Sequence, residues 1–271
     1  MIAVLHKSWA FIRKDFRIES GYKTSFLMRV VESMILLVFF YFLGELITSH
    51  STGVLDRYGS RYFPFALIGL AFARYFDLTL RMFSESIRVA QVTGCLEAML
   101  SSQTNCVTVV LMSSLYGLIS GAVQLCVILA SGVCLFGVDM SQMNIVATLL
   151  VVLLSITIFV AFGVLSAAAI VWLKKGDPIT WVLGSFGSIV GGAYFPVDLM
   201  PAPLRKLSLL IPIRYSLDAL RLTMLQGYSL VMVAKPLVTL TVIAAVLLPA
   251  SLALFAAAIR KGRKEGTLMQ Y

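Results

Sequence analysis

Long apolar runs alternate with short polar ones along the whole chain. Runs at about 26–48, 62–83, 107–136, 145–172 and 234–258 each reach the ~20 residues that a helix needs to cross a ~30 Å hydrocarbon layer. A further run, 179–196, opens near Ile179 and stops at Pro196, and it is expected to be the fifth of six spans. Ahead of the first span, Leu5, Trp9, Ile12 and Phe16 step by four, three and four residues, which places them on one helix face. Lys7, Arg13, Lys14 and Arg17 lie mostly off that face, so residues 2–20 read as an amphipathic helix in the interface plane. The pattern predicts an all-α membrane protein whose single transmembrane domain covers residues 1–271.

The polar breaks differ in character. Lys174-Lys175-Gly176-Asp177-Pro178 is a tight break, because Gly punctuates the chain and Pro disfavours helix at Asp177. The stretch 88–102 instead holds a short amphipathic turn, with Gly94, Leu96, Glu97 and Leu100, which suits contact with something in water. Residues 197–231 carry Leu204, Leu207, Leu210 and Ile211 at helical spacing, which predicts short helices in an outer segment that re-enters the membrane before the last span.

Composition places the chain firmly in the membrane class. Its 271 residues are 59% hydrophobic and 13% charged, with a mean hydropathy of +0.93, against about 25% charged in soluble domains. The net charge of +9 is dispersed between spans rather than clustered, which speaks for membrane-surface electrostatics and against nucleic acid. Five Lys or Arg precede residue 25 and four follow residue 259, whereas the loops at 49–61 and 137–144 hold only Arg57 and Arg61. The positive-inside rule then puts both termini in the cytoplasm. The basic stretch reaching Lys23 is too long for a signal peptide, so the first segment is expected to stay. Cys95, Cys106, Cys126 and Cys134 form no CxxC pair and read as packing residues or free thiols, with no metal site.

Several groups could carry chemistry. Arg74, Asp77 and Arg81 are spaced by three and four residues on one face of the second span, where Asp77 can pair with either arginine. Such intramembrane charges are a functional hypothesis, with a structural ion-pair ladder as the alternative. Arg29 and Glu32 form a similar pair near the start of the first span. Gly117 and Gly121 make a GxxxG step, and Gly184, Gly187, Gly191 and Gly192 crowd the fifth run, all of which favours close helix approach. Pro249 is expected to kink the last span. Tyr58, Tyr62 and Phe63 suit an outer aromatic belt, and Trp172 and Trp181 an inner one. No GxxxxGK[ST] loop, HExxH or GxSxG is present, so the chain is expected neither to hydrolyse ATP nor to be an intramembrane hydrolase.

Two stretches resemble one family. Tyr62-Phe63-Pro64-Phe65 with Gly69, followed by Gly94-x-Leu96-Glu97-x-x-Leu100-x-Ser102, is similar to the second span and coupling helix of type-2 ABC exporter permeases. Gly192-Ala193-Tyr194-Phe195-Pro196-Val197-x-x-Met200-Pro201-x-x-Leu204-Arg205, then Pro212-x-Arg214-Tyr215-x-x-Asp218-x-x-Arg221, resembles the late signature of the same family. Cys95 and Gln103 depart from it, standing where Thr or Ser and Pro are usual. The resemblance implies a multi-pass permease of the bacterial inner (plasma) membrane, working as a homodimer or a heterodimer, the homodimer being the leading expectation. Its partner would be a cytoplasmic nucleotide-binding ABC ATPase that binds ATP and Mg, leaving no cofactor in this chain. Gly94, Leu96, Glu97 and Leu100 would contact that ATPase. Tyr194, Phe195, Pro196, Pro201, Arg205, Pro212, Arg214 and Arg221 would belong to the outer gate.

The leading expectation is export of an amphipathic or lipid-linked substrate: a glycan, glycolipid or lipid. Arg205, Lys206 and Arg214 hint at an anionic one. Efflux of a hydrophobic drug or antibiotic is the alternative, as is a non-transporting assembly or sensor subunit of the same fold, since a fold alone does not fix function.

Overall fold

The most polar of the long helices is also the most buried. The computed structural model describes residues 9, 12–14, 16–17, 23–48, 55–59, 61–92, 106–173 and 180–265, and all regular structure among them is helical. In chain order these helices are α1 (Lys23–Thr48), α2 (Tyr62–Val92), α3 (Cys106–Ser113), α4 (Leu115–Cys134) and α5 (Ile145–Leu173). They continue with α6 (Trp181–Val190), α7 (Ala202–Ser208), α8 (Pro212–Leu225) and α9 (Ala234–Glu265).

Five segments are long and apolar enough to cross a membrane: Leu27–Leu46, Tyr62–Val89, Val110–Cys134, Ile145–Trp172 and Ala234–Gly262. The chain is a multi-pass membrane protein. The expected fifth span is represented among the described residues only by α6, which at 1.5 Å per residue covers ~15 Å, about half the hydrocarbon thickness. The third expected span is broken at Ser114, between α3 and α4. The second and last spans run further than their hydropathy indicates, α2 to Val92 and α9, through Pro249, to Glu265. The expected re-entrant segment holds two short helices, α7 and α8.

In α2, 78% of the membrane window is buried, against 22–33% in the other four. The ordering follows from the solvent. Lipid accepts an apolar helix at no cost, so α5 and α9 can face it, whereas α2, which carries half-buried Arg74 and Asp77, is covered by its neighbours. α2 touches α1, α3, α4, α5, α6 and α8. Both glycines of the GxxxG step face it, because a Cβ at Gly117 would meet Met82 and one at Gly121 would meet the Tyr75 ring. One apolar core surrounds the first half of α2, from Tyr62 to Leu80. A second gathers Phe83 and Ile87 with α3, the C-terminal half of α5 and the end of α9.

Of residues 2–20 only Trp9, Ile12, Arg13, Lys14, Phe16 and Arg17 are described. Trp9 and Phe16 are exposed, and Phe16 meets Tyr116 edge-on at 6.3 Å. The turn Gly94–Leu100, with Gly94, Leu96, Glu97 and Leu100, lies outside the described residues.

Candidate functional site

Arg221 organises the end of the molecule where α2 begins. The buried face of α8 is Ile213, Leu217, Leu220 and Met224, and Arg221 falls on the same face. It is 2% exposed. Its Nη2 donates to the Ala193 carbonyl at 2.9 Å and its Nε to the Phe65 carbonyl at 3.2 Å. The guanidinium lies 3.4 Å from the Phe65 ring centroid, so the cation is held by two carbonyls and one aromatic face.

Local structure supplies both acceptors. α6 ends at Gly191 and Gly192, and only glycine enters readily the left-handed turn at Gly192, φ +81°. The Gly192 N–H donates to Ile189 and the Ala193 N–H to Ser188, the reciprocal pair that closes a helix C-terminus. That closure turns the Ala193 carbonyl out of the helix and toward Arg221. On α2, a Cβ at Gly69 would stand 1.7 Å from the Ala193 oxygen and 2.5 Å from the Arg221 side chain, so glycine is what lets α2 and the end of α6 meet.

Aromatic residues complete this node. The Tyr58 hydroxyl donates to Asp218 at 2.9 Å, one helical turn before Arg221. Burial, and after it the Asp218 carboxylate, push the Tyr58 phenol well above its ordinary range, so it remains a proton donor. The Tyr62 hydroxyl donates to the Tyr194 carbonyl at 2.8 Å, and the Tyr194 ring stacks on Phe40 of α1 at 5.6 Å. Tyr58, Tyr62 and Phe63 were expected in a belt at the water interface. All three are buried instead: the 3-10 turn Asp56–Tyr58 folds Tyr58 against α8, and the start of α2 packs Tyr62 against Phe40 and Phe63 against Tyr41 of α1.

A second polar level lies two turns further along α2. Arg74 Nη2 meets Glu32 of α1 at 2.7 Å, and Arg81 Nε meets Asp77 at 2.9 Å. Of the two partners open to Asp77, the one observed is Arg81. The expectation of a pair within α1 missed that Glu32 reaches across to α2. α6 closes on this level from the other side: a Cβ at Gly184 would stand 2.6 Å from Asp77 Oδ1. The buried Nε of Arg74 has no hydrogen-bond partner among the described residues.

The remaining residues expected at an outer gate divide by exposure. Pro196 and Pro212 are buried, Pro212 as the first residue of α8, while Phe195, Pro201, Arg205 and Lys206 are exposed. Arg214, half-buried, donates to the Ser208 hydroxyl at 2.6 Å and so braces α7 against α8.

A family model described as ABC-2 type transporter matches residues 7–225. The chain belongs to the ABC-2 type transporter family. It is therefore the membrane-spanning permease subunit of an ABC transporter and not the ATPase; members of this family work in a lipid membrane with a separate ABC ATPase. Comparison with curated proteins finds no match. The matched span holds both polar levels of the permease. Sequence reasoning had named Arg74, Asp77, Arg81, Tyr194 and Arg221, and it missed Glu32 as the partner of Arg74, Tyr58 as the partner of Asp218, and the Phe65 and Ala193 carbonyls. The signal for Arg221 was present in its position among Leu217, Leu220 and Met224. No sequence signal marks a backbone acceptor.

Proposed function

We propose that the permease is the membrane subunit of an ATP-driven exporter that moves an amphipathic or lipid-linked substrate out of the cytoplasm or the inner leaflet. The observation that carries this reading is the partly buried polar face of α2. A permease needs polar groups that a substrate can reach within the bundle, and α2 presents half-buried Arg74 and Asp77 between α1 and α6, with one buried Arg74 donor unpaired among the described residues. In this reading α6, with residues before it, makes the sixth crossing, α7 and α8 form a re-entrant outer gate, and both termini face the cytoplasm.

The drive enters at the other end of α2. Its 31 residues make a rod of ~46 Å, which outreaches a ~30 Å hydrocarbon layer. The turn bearing Gly94, Leu96, Glu97 and Leu100 follows that end in sequence. Approach of two ATPase subunits, each with bound ATP and Mg, pushes this turn in each of two permease copies. The rod delivers the displacement to the outer node, where the Arg221 contacts on Phe65 and Ala193 let α2, α6 and α8 move together. A path for an anionic headgroup then opens past Arg74, while the apolar part of the substrate stays in lipid between the copies.

The test is ATP hydrolysis by the co-purified complex in lipid, with and without Glu97→Ala, across lipid-linked glycans and amphiphilic drugs. Stimulation by lipid-linked glycans that Glu97→Ala abolishes supports the reading. Stimulation by drugs alone moves the permease to drug efflux. An ATPase that fails to co-purify, with Glu97→Ala silent, leaves an assembly or sensor subunit.

A further inference from the structure

α5 and α9 pack along their lengths, yet they part near their C-terminal ends. Ala168 and Ala169 on one helix face Ala257 and Ala258 on the other, and these small side chains leave a groove of about 270 Å³. The groove opens on the surface of two membrane-crossing helices, where any space the side chains leave is filled by the surrounding medium. Its walls belong to the membrane-crossing segments Ile145–Trp172 and Ala234–Gly262. It runs from Leu254 to Lys261, seven residues or ~10 Å of helix. The medium that reaches such a wall is lipid, and the shape suits an extended acyl chain.

The mouth is chemically different. Trp172 is exposed there, and Lys261 Nζ stands 5.5 Å from its ring centroid, which fixes the ammonium at the rim. Arg260 and Lys264 are exposed beside it, and Arg260-Lys261-Gly262-Arg263-Lys264 carries four basic residues and no acidic one. An aliphatic lysine stem lying along an apolar groove with its charge at the membrane surface is the arrangement that meets a lipid phosphate.

We propose that the groove between α5 and α9 binds one anionic phospholipid, its acyl chain against the four alanines and its headgroup beside Lys261. Its placement in the inner leaflet rests on the orientation proposed above; the groove itself does not. The site lies apart from Arg74 and from the outer node, so the lipid is a resident of the permease and not its cargo.

The experiment uses the full chain carrying Trp9→Phe and Trp181→Phe, which leaves Trp172 as the sole tryptophan. It is reconstituted in vesicles containing a minor fraction of acyl-brominated phosphatidylglycerol or acyl-brominated phosphatidylcholine, and Trp172 quenching is read. The label sits in both leaflets, so the result is independent of orientation and of transport. The site predicts about fivefold stronger association for the anionic lipid. Lys261→Gln, at an exposed position, should erase that preference, and Ala257→Phe should lower quenching by both lipids by filling the groove. Equal quenching by the two lipids, or a preference that Lys261→Gln leaves intact, overturns the proposal. Trp172 shielded from both lipids overturns it as well, because a second copy or another helix then covers the groove.

Discussion

Arg221 and Arg74 are both arginines in apolar surroundings, and they are held in opposite ways. Arg221 is closed on every side, by two backbone carbonyls and the Phe65 ring, with Asp218 and Tyr58 paired one turn away. Arg74 meets a carboxylate that is 64% exposed and keeps a buried donor unpaired among the described residues. A cation satisfied by main chain cannot leave without unfastening three helices. A cation on a flexible, exposed partner can change partner at little cost. The first arrangement suits a fixed joint and the second a passing ligand.

Breaking the joint should have the largest effect. Arg221→Leu removes both carbonyl contacts from a fully buried site and should cost about 3–5 kcal/mol, read as loss of folded permease in a detergent unfolding titration. Arg221→Lys should recover less than half of that, since an ammonium cannot fork to Phe65 and Ala193 while stacking on a ring. Gly69→Val forces a side chain into the Ala193 oxygen and should cost about 3 kcal/mol by the same titration.

Tyr58→Phe comes next, at about 1.5–3 kcal/mol for a hydrogen bond to a charged acceptor. Its pH signature is distinct. The native phenol is raised, so above pH ~10 the unfolded chain releases this proton first and stability falls as pH rises. The contribution is complete below that pH. The wild type should therefore lose stability more steeply above pH ~10 than Tyr58→Phe does; parallel slopes would remove Tyr58 from the joint.

At the open level the expected order inverts. Arg74→Met should change stability by less than ~1 kcal/mol yet reduce transport severalfold, measured as substrate flux into inverted vesicles beside ATP hydrolysis. An equal loss of flux and fold would make Arg74 a second joint. Smallest of all is Arg88→Ala, which breaks an exposed pair with Glu85 and should shift stability by only ~0.3–0.5 kcal/mol in the titration.

The contrast also explains what could be read from the residues alone. Apolar runs report membrane crossings because a span depends on its own composition, and five of the six expected ones have counterparts long enough to cross, the third interrupted at Ser114. The fifth was harder. Gly191 and Gly192 were visible, but not that the C-terminal end of α6 caps there and folds back onto α2 and α8. Arg221 was legible as a charge on an apolar helix face. Its acceptors were not, because Phe65 lies 156 residues away in sequence and any residue offers a carbonyl. Asp77 showed the limit of spacing rules: positions three and four residues away both suit it, and the choice of Arg81 follows from Arg74 being drawn to Glu32 on α1.

The central claim is that α2 carries movement from its Val92 end to the Arg221 node as one rod. Spin labels at Arg61→Cys and Arg88→Cys, with the four native cysteines changed to serine, report its length directly. In the transport-competent complex with its ATPase, with labelled permease diluted in excess unlabelled permease so that one copy per complex carries labels, the account predicts a single separation of ~40 Å, set by 1.5 Å per residue, unchanged when ATP is added and turned over. A second, shorter separation appearing with ATP would show that α2 bends within the membrane, and the rod would be wrong.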